Sequence, residues 1–192
     1  MDLYLPHDLP SVGRTLRSRL LAGELAILPT DTIYGLSGNA LDPRVVERIL
    51  RLKGRSSPPA VIPHSLAWAR LLVHDSEHAA FDEEIERWSG PYLSLWRFAR
   101  GRARLPRALH SSGLIGLRLP SHWVRTLAAQ ACIPLVTTSV NRHLEPYMTG
   151  PDDLPAWIRE EVGFMVSEGR LSGPPSTLVR FEDGVPRLQE RN

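Results

Sequence analysis

Lys53 is the only lysine in the chain, every other member of a 23-residue basic set being arginine, and it stands in Lys53-Gly54-Arg55. An ammonium is a compact point charge and a guanidinium a planar fork, so the pair suits an oxyanion such as phosphate approached from two directions. Taken alone, the pair reads equally well as a solvated helix end. Three clusters of hydroxyl and amide side chains adjoin short apolar runs: Thr30-Asp31-Thr32, Thr137-Thr138-Ser139-Val140-Asn141 and Ser176-Thr177. Such groups hold carboxylate, carbonyl or phosphate oxygens, and none of the clusters pairs a nucleophile with a base. With Lys53, Arg55 and Arg118 as the cations, they point to catalysis by positioning and charge stabilisation. Any one cluster by itself is ordinary turn chemistry. A Walker loop and a Gly-x-Gly-x-x-Gly fingerprint are both absent, so a nucleotide would be held in neither of those modes.

The elements that must carry these residues alternate between helical and extended patterns. Leu16, Leu20 and Leu21 recur at helical spacing and predict a helix over Leu16 to Leu25, stopped near Gly23. Leu25 to Leu28 is a continuous apolar run ended by Pro29, the pattern of a buried strand, and Thr30 to Asn39 then reads as a loop. Asp42-Pro43 caps a helix with Val45, Val46, Ile49 and Leu50 on one face, which brings Lys53 and Arg55 to its C-terminal end. Further strands are expected at Ala60 to Ile62, Leu93 to Trp96, Ile115 to Pro120, Pro134 to Thr138 and Ser176 to Phe181, and helices at Ser65 to Leu72 and Trp123 to Ala131. Helices and strands interleave throughout, so the fold class is α/β with a mixed, twisted sheet and helices packed on it. In such sheets ligands collect beyond strand ends, where all three polar clusters fall.

At 192 residues, 42% hydrophobic and 23% charged, the chain is expected to form one globular domain, 1–192. No apolar run is long enough to span a bilayer and the N-terminus lacks a basic-then-apolar leader, so the expected location is the cytoplasm, with no membrane partner. The single cysteine, Cys132, lies among Ala131 and Ile133 and is expected to be a buried structural thiol. Net charge is only +2, but Arg97, Arg100, Arg102, Arg104 and Arg107 fall close together beside Trp96 and Phe98. That run is either a strip for RNA or polyphosphate, or a solvated basic loop. His74 and His78 have the spacing of metal ligands on a helix, but no third ligand accompanies them.

Pro29-Thr30-Asp31-Thr32-Ile33-Tyr34-Gly35-Leu36, Lys53-Gly54-Arg55, Gly90-Pro91, Gly116-Leu117-Arg118-Leu119-Pro120, Thr138-Ser139-Val140-Asn141 and Pro175-Ser176-Thr177-Leu178-Val179 resemble, in order, the signature segments of the YrdC/TsaC family, the L-threonylcarbamoyladenylate synthases, in their single-domain bacterial form. The resemblance implies a YrdC-like fold with a large, positively lined cavity. It also implies condensation of L-threonine, bicarbonate and ATP to threonylcarbamoyl-AMP and pyrophosphate, with Mg²⁺ accompanying ATP. A downstream threonylcarbamoyl transferase complex would then modify adenosine in tRNA. By the same resemblance Thr32, His64, Arg118, Ser139 and Ser176 would bind threonine, and Lys53, Arg55, Thr137 and Asn141 would bind ATP. No side chain would act as nucleophile or resident metal ligand.

The chain departs from the family pattern at several positions. Pro59 stands where a second lysine is usual, Leu93 where a threonine is, Val140 where an alanine is and Ser37 where a glycine is, and the close is Gln189-Glu190-Arg191. Arg104, Arg107 or Arg191 would then supply the missing charge. The alternative is a divergent YrdC-like protein that binds RNA or a ribosome precursor without making the adenylate.

Overall fold

The computed structural model describes residues 1–54, 58–142, 145–182 and 185–189; Arg55 and Arg191, two of the expected cationic contacts, lie outside them. Ten strands form one mixed sheet: β1 (Asp2–Tyr4), β2 (Leu25–Leu28), β3 (Gly35–Asn39), β4 (Ala60–Ile62), β5 (Tyr92–Arg97), β6 (Leu114–Leu117), β7 (Leu135–Ser139), β8 (Val162–Val166), β9 (Thr177–Glu182) and β10 (Val185–Gln189). Their order across the sheet is β1-β8-β2-β3-β7-β4-β6-β5-β9-β10. Among the described residues six α-helices accompany them: α1 (Leu9–Leu21), α2 (Pro43–Lys53), α3 (Leu66–Leu72), α4 (His78–Glu84), α5 (Trp123–Ala131) and α6 (Ala156–Arg159).

Strand alternation divides the molecule into two unlike faces. Cross-strand partners share a face, and the pairs Leu36↔Thr138, Val61↔Val136 and Val61↔Leu117 place Leu36, Val136, Val61 and Leu117 together. On that face they join Val45, Val46 and Ile49 of α2, Ala69 and Leu72 of α3, Phe81 of α4 and Ile158 of α6 in one buried cluster. Burying each of the valine, leucine, isoleucine and phenylalanine side chains among them contributes about 1.5–3 kcal/mol. The opposite face is covered over one part only. There Ala26, Leu28, Ile62, Leu135 and Phe164 pack against Leu16 and Leu20 of α1 and Val124, Leu127 and Ala128 of α5. The remainder of this second face carries the polar residues.

Several elements differ from the sequence expectation. α1 begins at Leu9, because Pro10 is compatible with the first turn of a helix. Gly35–Asn39, expected as loop, is a strand held between β2 and β7. Its glycines, which weaken strand propensity, serve close approach: a Cβ on Gly38 would lie 2.6 Å from Val45 Cγ1 of α2. β1, β8 and β10 add strands the local patterns do not announce. Cys132 is exposed, not buried; it lies past the last turn of α5 as its C-cap, in the left-handed region at φ 53°, with Sγ 3.6 Å from Ala129 O. α2 follows its sequence signals, with Asp42 Oδ1 accepting from Arg44 N at 2.9 Å and Gly54 closing the helix at φ 62°. No helix among the described residues is long and apolar enough to cross a membrane.

Candidate active site

A small, partly open hollow lies on the polar part of the second face, lined among others by Thr32, Arg118, Thr137, Ser139 and Ser176. The pleat puts these residues there. Ser37↔Thr137↔Ala60 are cross-strand partners, Gly116 pairs with Leu95, and Leu93 pairs with Leu178, so Thr137, Ser139, Gly116, Arg118, Leu93 and Ser176 all belong to one face by alternation. Thr32 arrives from the loop between β2 and β3. Thr30 folds that loop on itself, its Oγ1 donating to Ile33 O at 2.7 Å and accepting from Thr32 N at 3.2 Å.

Arg118 is the only charged side chain among the described residues lining the hollow. It follows β6, its backbone N–H donating to Val61 O at 3.0 Å. Its Nη2 reaches Asp31 Oδ1 at 2.6 Å, Thr32 Oγ1 at 2.7 Å and Thr30 Oγ1 at 3.2 Å. Asp31 was not among the expected site residues, although its place between two threonines marks it as the acidic member of the cluster. Burial pulls the Arg118 pKa below the usual arginine range, and the charge of Asp31 and its hydrogen bond oppose that pull. Arg118 Nε is buried without a hydrogen-bond partner. An unpaired buried N–H calls for an explanation, and the guanidinium that carries it is suited to an anionic oxygen.

Lys53 occupies a different place from the other cation. It is buried, and its Nζ donates to Ser139 O at 2.7 Å, to Asn141 Oδ1 at 2.6 Å and to Asn141 O. Ser139 Oγ also donates to Asn141 Oδ1 at 2.7 Å. The ammonium thus pins the end of β7 to the end of α2, and it meets the hollow through Ser139. Asn141 belongs to this turn and is not a lining residue. His64 is not among the described lining residues, and its ring lies 5.2 Å from that of Trp68. Thr137 lines the hollow and its Oγ1 accepts from Ser37 Oγ at 3.0 Å, so the serine found in place of the usual glycine serves to hold it. Gly35 makes room for that hydroxyl, since a Cβ there would lie 2.5 Å from Thr137 Oγ1.

One wall of the hollow comes from the segment after β8. Tyr34, fully buried, donates from its hydroxyl to Gly169 O at 2.7 Å and accepts from Glu168 N at 3.0 Å. Glu168 Oε2 lies 2.9 Å from His122 Nε2, and Oε1 accepts from Trp123 Nε1. So tethered, the segment runs past Thr32, where a Cβ on Gly173 would come within 2.9 Å of Thr32 Cα, and delivers Ser176 to the hollow. Tyr34 and Glu168 emerge only here, because their partners are distant in sequence.

The arginine run divides. Arg97 Nε lies 3.8 Å from Glu77 Oε1, and Arg102 is paired with Asp75 through both terminal nitrogens. Arg100, Arg104 and Arg107 are exposed, and among the described residues no carboxylate pairs with them. His78 Nε2 faces the carbonyl of Val73 at 2.9 Å and His74 Nδ1 faces Ser76 Oγ at 2.9 Å, so both rings belong to local turns. Among the described residues no group of three or more His, Cys, Asp or Glu is gathered to hold a metal ion.

With this geometry in place, comparison with known proteins gives a family. The model of the Sua5_yciO_yrdC family, described as "Telomere recombination", matches residues 18–191. The threonylcarbamoyl-AMP synthase of Dichelobacter nodosus is 32% identical over 139 residues, 71% of this chain and 71% of that protein. The structure of Pyrococcus abyssi Sua5 complexed with L-threonine superposes with a TM-score of 0.83 at 22% identity, covering 97% of this chain and 56% of that one. Escherichia coli YciO superposes at 0.79 with 19% identity, covering 97% of this chain and 92% of that one. These likenesses to solved structures show the YrdC-like fold, and the chain spans about half the length of the longer Pyrococcus relative. By the family match and the Dichelobacter relative, the chain belongs to the Sua5_yciO_yrdC family.

Proposed function

We propose that this chain is a threonylcarbamoyl-AMP synthase, joining L-threonine, bicarbonate and ATP with release of pyrophosphate for modification of adenosine in tRNA. The observation that carries the reading is Arg118: a buried guanidinium, fixed by Asp31 and Thr32, that lines a hollow together with Ser139 and Ser176. The name of the Dichelobacter relative and the threonine bound to Pyrococcus Sua5 agree with it.

In this reading Arg118 and Ser176 hold the threonine carboxylate, with Thr32 and Ser139 around it. The amine attacks the carbon of bicarbonate-derived CO₂, forming the N–C bond and losing a proton. A carbamate oxygen then attacks the α-phosphorus of ATP while the bond to the β-phosphate oxygen breaks, and pyrophosphate leaves. No side chain is consumed, in keeping with a site of hydroxyls and cations that contributes alignment. Thr137 and Asn141 stand on the ATP side, with Lys53 fixing Asn141; Arg55, the remaining expected ATP contact, lies outside the described residues. Mg²⁺ arrives with ATP, neutralising phosphate charge and taking few protein ligands.

Purified protein given L-threonine, bicarbonate, ATP and Mg²⁺ is expected to release pyrophosphate only when threonine is present. Release independent of threonine, or none beside a working control synthase, defeats the reading.

A second reading, RNA binding, is favoured by Arg100, Arg104 and Arg107, exposed and without a carboxylate partner among the described residues. Each phosphate contact to a single strand adds about −0.7 to the slope of log K against log salt. Replacing the three arginines with alanine is expected to flatten that slope for tRNA by about 2; an unchanged slope removes the strip from the interface.

A further inference from the structure

Two pieces of chain meet beside the hollow, and a single carboxylate joins them. The first is the turn that leaves Arg118: Gly90 N donates to Leu119 O at 2.7 Å, Asp31 Oδ2 accepts from Ser121 N at 2.8 Å, and α5 begins directly after His122. The second is the wall after β8, which delivers Ser176. Glu168, in that wall, commits both carboxylate oxygens to the turn: Oε2 lies 2.9 Å from His122 Nε2, and Oε1 accepts from Trp123 Nε1.

Local chemistry fixes which way these bonds run. His122 is the N-cap of α5 and its Nδ1 accepts from Val124 N, so the ring proton is on Nε2 and points at Glu168. The carboxylate also stands at the N-terminus of α5, where the helix macrodipole favours negative charge. With the two side chains 13% and 23% exposed, salt screens the pair little. Glu168 N donates to the Tyr34 hydroxyl at 3.0 Å, and Gly169, at φ 76°, accepts from that hydroxyl through its carbonyl at 2.7 Å. The backbone of Glu168 is therefore tied to the chain leading into β3, and its side chain to the turn leaving Arg118.

Resting on the reading that Arg118 and Ser176 receive the threonine carboxylate, we propose that Glu168 and His122 are positioning residues of that subsite, setting the separation of Arg118 from Ser176. Both act through the chain they hold. Groups that must engage one ligand together lose affinity when one of them drifts by about 1 Å. An outer layer of fixed hydrogen bonds is what prevents such drift. The ATP side, at the ends of β7 and α2, is held by other ties, Ser37 to Thr137 and Lys53 to Asn141, so ATP binding is expected to be indifferent to the clasp.

The test is calorimetric titration of the full chain and of two variants with L-threonine and, separately, with ATP and Mg²⁺. His122→Asn keeps a side-chain acceptor for the cap of α5 but withdraws the donor from Glu168. Glu168→Gln, of the same shape, turns one of two acceptors into a donor, so an N–H faces an N–H whichever way the amide lies. Each variant is expected to weaken threonine binding about tenfold or more while leaving ATP binding within about twofold. The double variant is expected to be no weaker than the stronger single one, because both changes remove the same bond. A purely stabilising clasp would lower the urea midpoint and leave the threonine affinity of the folded variants where it was. Threonine affinity within about twofold of wild type in either folded variant, an equal loss for ATP, or additive losses in the double variant overturns the proposal and leaves the synthase reading standing. Failure of the wild-type chain to bind L-threonine overturns both.

Discussion

Asp31 holds Arg118 from one side and the chain from the other: Oδ1 accepts from Arg118 Nη2 at 2.6 Å while Oδ2 accepts from Ser121 N at 2.8 Å. The carboxylate thereby fixes both the cation and the turn that follows it. Since Arg118 is 6% exposed, removing Asp31 leaves a buried charge without its counter-ion. Asp31→Ala is expected to cost about 3–5 kcal/mol of stability. Urea denaturation checks this, and a loss below about 1 kcal/mol would show that water or the threonine hydroxyls replace the carboxylate.

Lys53 is expected to act on stability and on the site together. Lys53→Met keeps the apolar stem but withdraws the donor from Ser139 O and from both oxygens of Asn141. Leaving such acceptors unsatisfied costs about 1–3 kcal/mol, read as a lower urea midpoint. Lys53→Arg is expected not to restore it, because a planar fork cannot reproduce a compact three-donor head. Full recovery by arginine would contradict the pinning role.

Gly173→Ala tests how the wall after β8 is seated. The new Cβ would stand 2.9 Å from Thr32 Cα and 3.0 Å from Thr32 O, backbone atoms that have little room to yield. The segment must move off Thr32, carrying Ser176 with it. A stability loss of about 1–3 kcal/mol is expected. The threonine KM should rise about tenfold or more, because displacements of order 1 Å at a binding group are costly. A KM at the wild-type value would separate this wall from amino-acid binding.

Asp153 gives the molecule an acid-sensitive tether. Hydrogen bonds from the Thr149 hydroxyl and backbone, then from Gly150 N and Arg170, hold its pKa down to about 2. A carboxylate lowered by folding contributes stability above its unfolded value of about 3.9 and loses it as pH falls toward the folded value. The difference in urea midpoint between wild type and Asp153→Asn is therefore expected to be constant above about pH 5 and to shrink between about pH 4 and pH 2. A difference independent of pH over that range would remove the charge from the explanation.

What could be read from the chain alone followed from local chemistry. Asp42, Pro43 and Gly54 delimit α2 by capping, and the apolar spacing of Val45, Val46 and Ile49 selects its buried face. Thr32, Arg118, Ser139 and Ser176 carry hydroxyl and guanidinium groups at strand ends. The structure brings them to one hollow. Strand β3 was not legible, because Gly35-Leu36-Ser37-Gly38-Asn39 has little strand propensity and is extended by ladders on both sides.

Sequence by itself determined the α/β class, the helix limits set by caps, and the kinds of atom that line the site, since each follows from residues a few positions apart. Tertiary structure alone decided what those atoms touch. Arg118 meets Asp31 across 87 positions and Lys53 meets Ser139 across 86, and such partners are chosen by which strands pair and which face the pleat assigns. The cost of burying a charge then makes those distant pairings obligatory, so the free edge of Arg118, and with it the chemistry of the hollow, is a property of the fold.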